Sequence, residues 1–264
     1  MATVAEVYAY LDELAPFGLQ MSFDNAGFLV GRGGQTVTGI LVALDITEEV
    51  VREAAGVGAE LIIAHHPVIF HPAKALTDGT PAGRILLALA EHRIAAICAH
   101  TNLDAVKDGV NDALARRLNL AGIEQLHQDG VDSAGVPYGV GRVGNTAGER
   151  SAAEFATFVK EALDAGGVRY VDGGRPVRRV AVGGGACADL MGDALAKGCD
   201  AFVTSDVRYH EFLEAKAMGL SLIDAGHFPT ENVVCPVLAD WLEKGFPDVK
   251  IVLSNRHHEV FSYL

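Results

Sequence analysis

Along this chain the spacing of apolar residues switches repeatedly between helical and strand periods. Val7, Tyr10, Leu11 and Leu14 recur at helical intervals after Thr3, and Glu6 stands three residues beyond that threonine, the spacing of a capping box. A helix is therefore expected over residues 3–15. From Ile40 to Ile46 the run is apolar except for Asp45, and Thr47 then opens an amphipathic stretch with Val50, Val51, Ala54 and Ala55. This pattern predicts a strand followed by a helix. It repeats with strands at 61–64 and 94–99, a helix at 81–91 capped by Thr80, and a helix at 109–118. Continuous apolar strands separated by helices imply a mostly parallel sheet covered on both faces.

Residues 122–148 are rich in Gly and Asp and hold one expected strand, 138–143; a domain boundary is placed near their start. Ser151 and Glu154 form a second capping box, opening a helix that runs to residue 165. Beyond it the pattern predicts strands at 177–182, 201–204 and 220–224 and helices at 188–197 and 208–218. A last helix is expected to start at Pro229, because proline suits the first helical position, and further strand ends the chain. The expected class is α/β.

Composition narrows the function. With 264 residues, half of them hydrophobic and 21% charged, the chain can bury two cores of ordinary size. Its 34 acidic and 21 basic side chains leave a net charge of −13, and no basic run exceeds the pairs Arg116-Arg117 and Arg178-Arg179. That field opposes a polyphosphate groove and argues against nucleic acid as a partner. The first basic residue is Arg32, Asp12 and Glu13 lie near the start, and no apolar run approaches the ~18 residues that span a bilayer. A cytoplasmic protein without a membrane partner is expected. Cys98, Cys187, Cys199 and Cys235 show no C-x-x-C spacing and read as buried thiols.

Histidines stand where strands are expected to end. His65 and His66 follow the strand at 61–64, with Pro67 helping the chain turn away. His100 and Asp104 follow the strand ending at Ala99, and His227 and Glu231 follow the strand ending at Asp224. Ligands of α/β sheets gather at the carboxyl ends of strands. Three strand ends thus offer His65, His66, His100, Asp104, His227 and Glu231 to one face, although histidines that merely hydrogen-bond to loops remain the alternative for any one cluster. Imidazole and carboxylate without thiolate suit Zn, Fe, Mn, Co or Ni, and one catalytic ion needs only three protein ligands. The excess points to two divalent ions, with Asp104 and Glu231 as candidate bridges at the ~3.5–4 Å separation of dinuclear sites.

Other features carry weaker signals. His210 and Glu214 have the spacing of a solvated helical pair, and His257-His258 lie in a polar stretch that reads as exposed surface. Gly183, Gly184 and Gly185 could form a phosphate nest or permit close backbone packing; no P-loop or G-x-G-x-x-G accompanies them. No G-x-S-x-G elbow is present.

Five segments in one order resemble the Nif-three-like family, whose members often carry the name GTP cyclohydrolase 1 type 2 homologue. They are Ser22-Phe23-Asp24-Asn25-Ala26-Gly27-Phe28-Leu29-Val30-Gly31, Ala43-Leu44-Asp45-Ile46-Thr47, Ala64-His65-His66-Pro67, His100-Thr101-Asn102-Leu103-Asp104, and Asp224-Ala225-Gly226-His227 ending in Thr230-Glu231. Thr204-Ser205-Asp206 lies in the same order. The resemblance implies two α/β domains, the first formed by both chain ends: residues 1–124 with 221–264 as the metal-binding domain, and 125–220 as the second. It also implies metal ligation by His65, His66, Asp104, His227 and Glu231, His100 nearby as a proton carrier or supporting group, and a homohexamer. Phe23 stands where the family commonly has Trp, and the tail after Leu253 departs from the usual ending, which leaves the pairing of the last strand open.

The expected function is metal-dependent hydrolysis of a small molecule, such as a nucleotide, phosphoester or cyclic amide, through a metal-bound hydroxide, with His100 transferring the proton. The alternative is a metal-binding scaffold, metallochaperone or regulatory partner without turnover.

Overall fold

A computed structural model describes residues 1–132 and 135–264. The chain forms two compact units, Met1–Leu103 with Cys235–His258, and Asp104–Val234 with Glu259–Leu264.

In the first unit, five strands are ordered Lys250–Leu253, Gly39–Ala43, Leu61–Ala64, Ala95–Cys98 and Gly27–Val30. The first four run parallel and the last is an antiparallel edge. Every residue of the three central strands is buried, as expected of a parallel sheet covered on both faces. Alternation sends Leu41, Ala43, Ile62, Ala64, Ala96 and Cys98 to the face covered by the helices Glu48–Val57 and Pro81–Glu91, where they pack with Val50, Val51, Ala54 and Leu89. Both ends of the chain contribute to this unit. The Tyr10 hydroxyl of the helix Val4–Leu14 donates to the Trp241 carbonyl of the helix Cys235–Gly245 at 2.9 Å, and the Tyr10 ring meets Phe246 edge-on. The Thr3–Glu6 capping box is formed, and the last strand pairs Lys250–Leu253 with residues 39–42.

The second unit holds a six-stranded sheet in the order Arg169–Val171, Ser221–Asp224, Ala201–Thr204, Val177–Val182, Arg142–Arg150 and Ala121–Gln125. The three strands Ser221–Asp224, Ala201–Thr204 and Val177–Val182 are parallel, and antiparallel strands flank them. One face packs Val180, Val182, Val203 and Ile223 against Leu114, Phe155 and Val159; the other packs Ala181, Phe202 and Leu222 against Met191, Ala194 and Ala215. Ser151 and Glu154 form the expected capping box of the helix Ala152–Ala162. Near the end of the chain, Tyr263 lies over Gly166 and Gly167; a Cβ on Gly167 would stand 2.6 Å from its ring.

Several expected boundaries differ from those observed. The resemblance places Ser221–Asp224 in the first domain, yet it pairs in parallel with Ala201–Thr204 in the second sheet. The expected edge at residue 124 falls within the strand Ala121–Gln125, which pairs with Arg142 and Val143 in that same sheet. A buried parallel strand has the same apolar signature in either sheet, so local pattern cannot say which one it joins. The helix expected from Pro229 is a single turn, His227–Glu231, then a 3-10 turn Asn232–Val234 and the helix Cys235–Gly245. Instead of one strand at 138–143 there are two, Pro137–Tyr138 and Arg142–Arg150.

Arg142 is the polar anchor of the second unit. Its Nε donates to Asp112 Oδ2 at 2.7 Å, and its remaining donors reach the carbonyls of Gly139, Gly141 and Val106 at 2.8–2.9 Å. Arg142→Met leaves the Asp112 carboxylate buried without its guanidinium; a loss of about 3–5 kcal/mol is expected in urea unfolding. A loss under about 1 kcal/mol would show that the ion pair does not hold this unit. Burial pushes the Cys98 thiol up to about 12 and the Cys199 thiol up to about 11. At pH 8 neither is expected to react with a disulfide reagent in the folded protein, and both should do so once it is unfolded, as a mass-resolved labelling time course would show.

Candidate metal centre

In the first unit three neighbouring strands run parallel and in register, with Ala43 beside Ala64 and Ala64 beside Cys98. Their carboxyl ends are therefore level, and the next residues, Leu44-Asp45, His65-His66 and Ala99-His100, emerge together. The Leu44 carbonyl accepts from the backbone N–H of both His65 and His66, at 3.2 and 2.9 Å, which turns the chain while keeping the two histidines side by side. The rings of His65, His66 and His100 form a triangle with centroids 5.0, 5.1 and 5.5 Å apart. Each offers a nitrogen, and these atoms lie within 4.8 Å of one another, a grouping able to hold a metal ion. His65 is buried, whereas the side chains of His66 and His100 are 22% and 17% exposed, so a ligand can reach them from one side.

The other nitrogen of each ring is already committed. His65 Nδ1 is 2.8 Å from the Ala99 carbonyl, His66 Nδ1 is 2.8 Å from Asp45 Oδ1, and His100 Nδ1 is 2.8 Å from Asp24 Oδ1. These oxygens can only accept, so Nδ1 carries the hydrogen and Nε2 carries the lone pair in each neutral ring. Metal-binding histidines are oriented in this way. Asp24 is fixed in turn by the backbone N–H and hydroxyl of Thr101, at 3.0 and 2.5 Å from its Oδ2. Burial pushes the Asp24 carboxyl up, but the hydrogen bonds from His100 and Thr101 outweigh it and hold the group at about 2. Asp45 behaves likewise: burial opposes its charge, and His257 and His66 hold it well below the usual carboxylate range.

The second unit builds its own set from parallel strands in register, Val182 beside Val203 and Thr204 beside Asp224. Their carboxyl ends lead to Gly183–Gly185, Ser205-Asp206 and Ala225-Gly226-His227. His227 Nδ1 meets Asp206 Oδ2 at 2.7 Å, and His227 Nε2 is 3.0 Å from Glu231 Oε2 across the single helical turn. Glu231 is buried. Asp104 lies in the helix Thr101–Ala105 and is buried; its carbonyl accepts from the Asn111 amide at 2.9 Å, and Asn111 Oδ1 accepts from Gly184 N–H at 2.9 Å. Burial and the nearby carboxylates of Asp104, Asp189 and Glu231 push the Cys187 thiol up, so this thiol senses a negative field that a cation would relieve.

Gly183–Gly185 serve close packing rather than phosphate. A Cβ on Gly184 would fall 2.8 Å from Val110 Cγ1, and one on Gly185, whose φ is +68°, would overlap the Glu231 carboxylate. All three amides are used inside the unit, by the Val203 carbonyl, Asn111 Oδ1 and Thr230 Oγ1. The structure thus gathers His65, His66 and His100 in one unit, and His227 with Glu231 in the other, where Asp104 is also held. The third cluster does not share a sheet with the first two, contrary to expectation. The apolar pattern does not mark Asp24 and Asp206 as partners of the histidines, whereas Asp45 stands out as the lone acidic residue in the apolar run 40–46. His210 and Glu214 are exposed, as expected. His258 is exposed too, but the His257 side chain is only 6% exposed and faces Asp45, which corrects the reading of that pair as surface.

Because the folded pKa of Asp24 lies below its unfolded value, its contribution to stability is complete above about pH 4 and is lost as pH falls through about 2. The urea midpoints of the native protein and Asp24→Asn are expected to differ by the equivalent of about 1–2 kcal/mol at pH 5 and to converge only below about pH 2. A constant difference over that range would count against the hydrogen-bonded carboxylate.

The model of the family Duf34/NIF3 (NGG1p interacting factor 3) matches residues 2–259. The chain is 34% identical over 261 residues to a protein of Clostridium perfringens named GTP cyclohydrolase 1 type 2 homolog, covering 98% of each. A Streptomyces coelicolor protein of the same name is 37% identical over 261 residues, covering 97% of this chain and 88% of that one. The crystal structure of a Bacillus cereus protein related to NIF3 superposes with a TM-score of 0.94 at 27% identity, over 100% of this chain and 99% of the other. The paired strand-end clusters thus sit in a fold and a sequence shared with these relatives: the chain belongs to the Duf34/NIF3 family.

Proposed function

We propose that this protein is a metal-dependent hydrolase in which His65, His66, Asp104, His227 and Glu231 hold two divalent transition-metal ions. The observation that carries the reading is the common wiring of the histidines: Nδ1 of His65, His66 and His227 each ends on an oxygen, which directs Nε2 as the ligand atom, and the same wiring of His100 leaves its Nε2 to take up a proton. Nitrogen and oxygen donors without thiolate suit Zn, Fe, Mn, Co or Ni. When bound, such ions lower the pKa of water toward neutrality and polarise the bond to be cleaved.

The protein's own groups supply the rest. Asp104 and Glu231 offer carboxylates, each with two oxygens, and the glycine loop keeps Glu231 in place. His100 moves the proton at Nε2, while Asp24 on Nδ1 stabilises the imidazolium that forms. The names of the relatives favour a small nucleotide-like substrate, with a phosphoester or cyclic amide as the wider class. Cytoplasmic action as a homohexamer belongs to the same reading. Among the described residues no helix is long and apolar enough to cross a membrane.

Elemental analysis of the purified protein is expected to find two transition-metal equivalents per chain, with at least one lost in His66→Ala and in Glu231→Gln. In a screen of GTP, other nucleotides, phosphoesters and cyclic amides, the loaded protein should turn over a substrate that the stripped protein does not. His100→Gln should lower kcat by about 100-fold or more with metal content unchanged. Two retained metals with no turnover of any substrate would favour the scaffold or metallochaperone alternative, and identical behaviour of loaded and stripped protein would sink the hydrolase.

A further inference from the structure

The two carboxylates behind the histidines of the first unit are built alike up to a point. Asp24 gives Oδ1 to His100, and its Oδ2 is pinned by Thr101. Asp45 gives Oδ1 to His66, and the group facing its Oδ2 is His257, whose Nε2 lies 3.8 Å away. Leu44 N–H donates to His257 Nδ1 at 3.5 Å, which makes Nδ1 the acceptor and leaves the hydrogen on Nε2, the nitrogen that lies 3.8 Å from Asp45 Oδ2.

His257 reaches this position because the chain beyond the strand Lys250–Leu253 is gripped. Ser254 N–H donates to the Val42 carbonyl at 2.9 Å. Glu53, on the helix Glu48–Val57, then accepts from the Ser254 hydroxyl and from the backbone N–H of Asn255 and Arg256, at 2.8 and 3.3 Å for the two amides. One carboxylate thus fixes three successive residues and delivers the fourth, His257, beneath Asp45. The Asp45 side chain is itself 45% exposed, so without a second anchor its carboxylate is open to rotation toward water.

We propose that His257 is a positioning residue for the metal centre: acting through Asp45, it sets the orientation and donor strength of His66 Nε2, as Thr101 does for His100 through Asp24. The C-terminal segment, latched by Glu53, is thereby part of the metal-binding machinery although it supplies no ligand. This rests on the proposed ligation by His66.

The test measures metal affinity rather than turnover. The full-length protein is stripped and titrated with Co(II) or Zn(II) against a chromophoric chelator, and the visible spectrum of the Co(II) form is recorded. His257→Ala is expected to weaken binding by about 10–100-fold and to shift the Co(II) bands. His257→Gln, whose amide N–H stands near the place of Nε2–H, should restore affinity to within about threefold, whereas His257→Phe, which fills the space without a donor, should not. Glu53→Gln leaves His257 intact but loosens the latch and should weaken binding in the same direction; it guards against misfolding of the His257 variants. Affinities within twofold of the native protein in His257→Ala and Glu53→Gln would overturn the proposal. His66→Ala is titrated alongside: if it binds metal as tightly as the native protein, the ligation reading falls and this inference with it. If it loses metal while His257→Ala does not, only the role of His257 falls.

Discussion

A hydrogen bond from imidazole Nδ1 to an oxygen that can only accept is the constraint on which the candidate centre depends. Left to itself, a neutral imidazole divides between two tautomers and turns about its side-chain torsions. Each such bond removes that choice for one ring and leaves one nitrogen with a lone pair in a fixed direction. The acceptors come from different sources: a strand-end carbonyl at Ala99, and carboxylates at Asp45, Asp24 and Asp206. What they share is a place just beyond, or facing, the end of a buried strand.

That place follows from sheet geometry. Parallel strands in register end at one level, so residues immediately past them are neighbours without being close in sequence. Each unit applies this independently. The first does so with strands made wholly of apolar residues, whose packing against helices on both faces fixes their ends. The second does so with Ala201–Thr204 and its two parallel neighbours, and adds a glycine loop whose missing side chains make room for Glu231. Rigidity at the site therefore comes from the apolar cores, and chemistry from the first polar residues beyond them.

Much of this is legible in the sequence because strand ends are. His65, His66 and His100 are marked by apolar runs that stop abruptly, and both capping boxes announce their helices through a spacing that has a single local meaning. What is not legible depends on long-range pairing. Ser221–Asp224 has the composition of any buried parallel strand, and only its hydrogen bonds to Ala201–Thr204 tell which sheet it joins. His257 sits among polar residues, and its burial depends on Glu53, some two hundred positions away. The triple glycine suggested an anion site as readily as a tight fit, and the choice between them rests on Asn111, Val203 and Thr230, which nothing near the glycines foretells.

Residues 250–263 contribute to both units. Lys250–Leu253 supplies an edge strand to one and Tyr263 covers a pair of glycines in the other. Both units therefore draw on the one stretch 250–263, so a substitution or cleavage there is felt in each of them although no candidate ligand is altered.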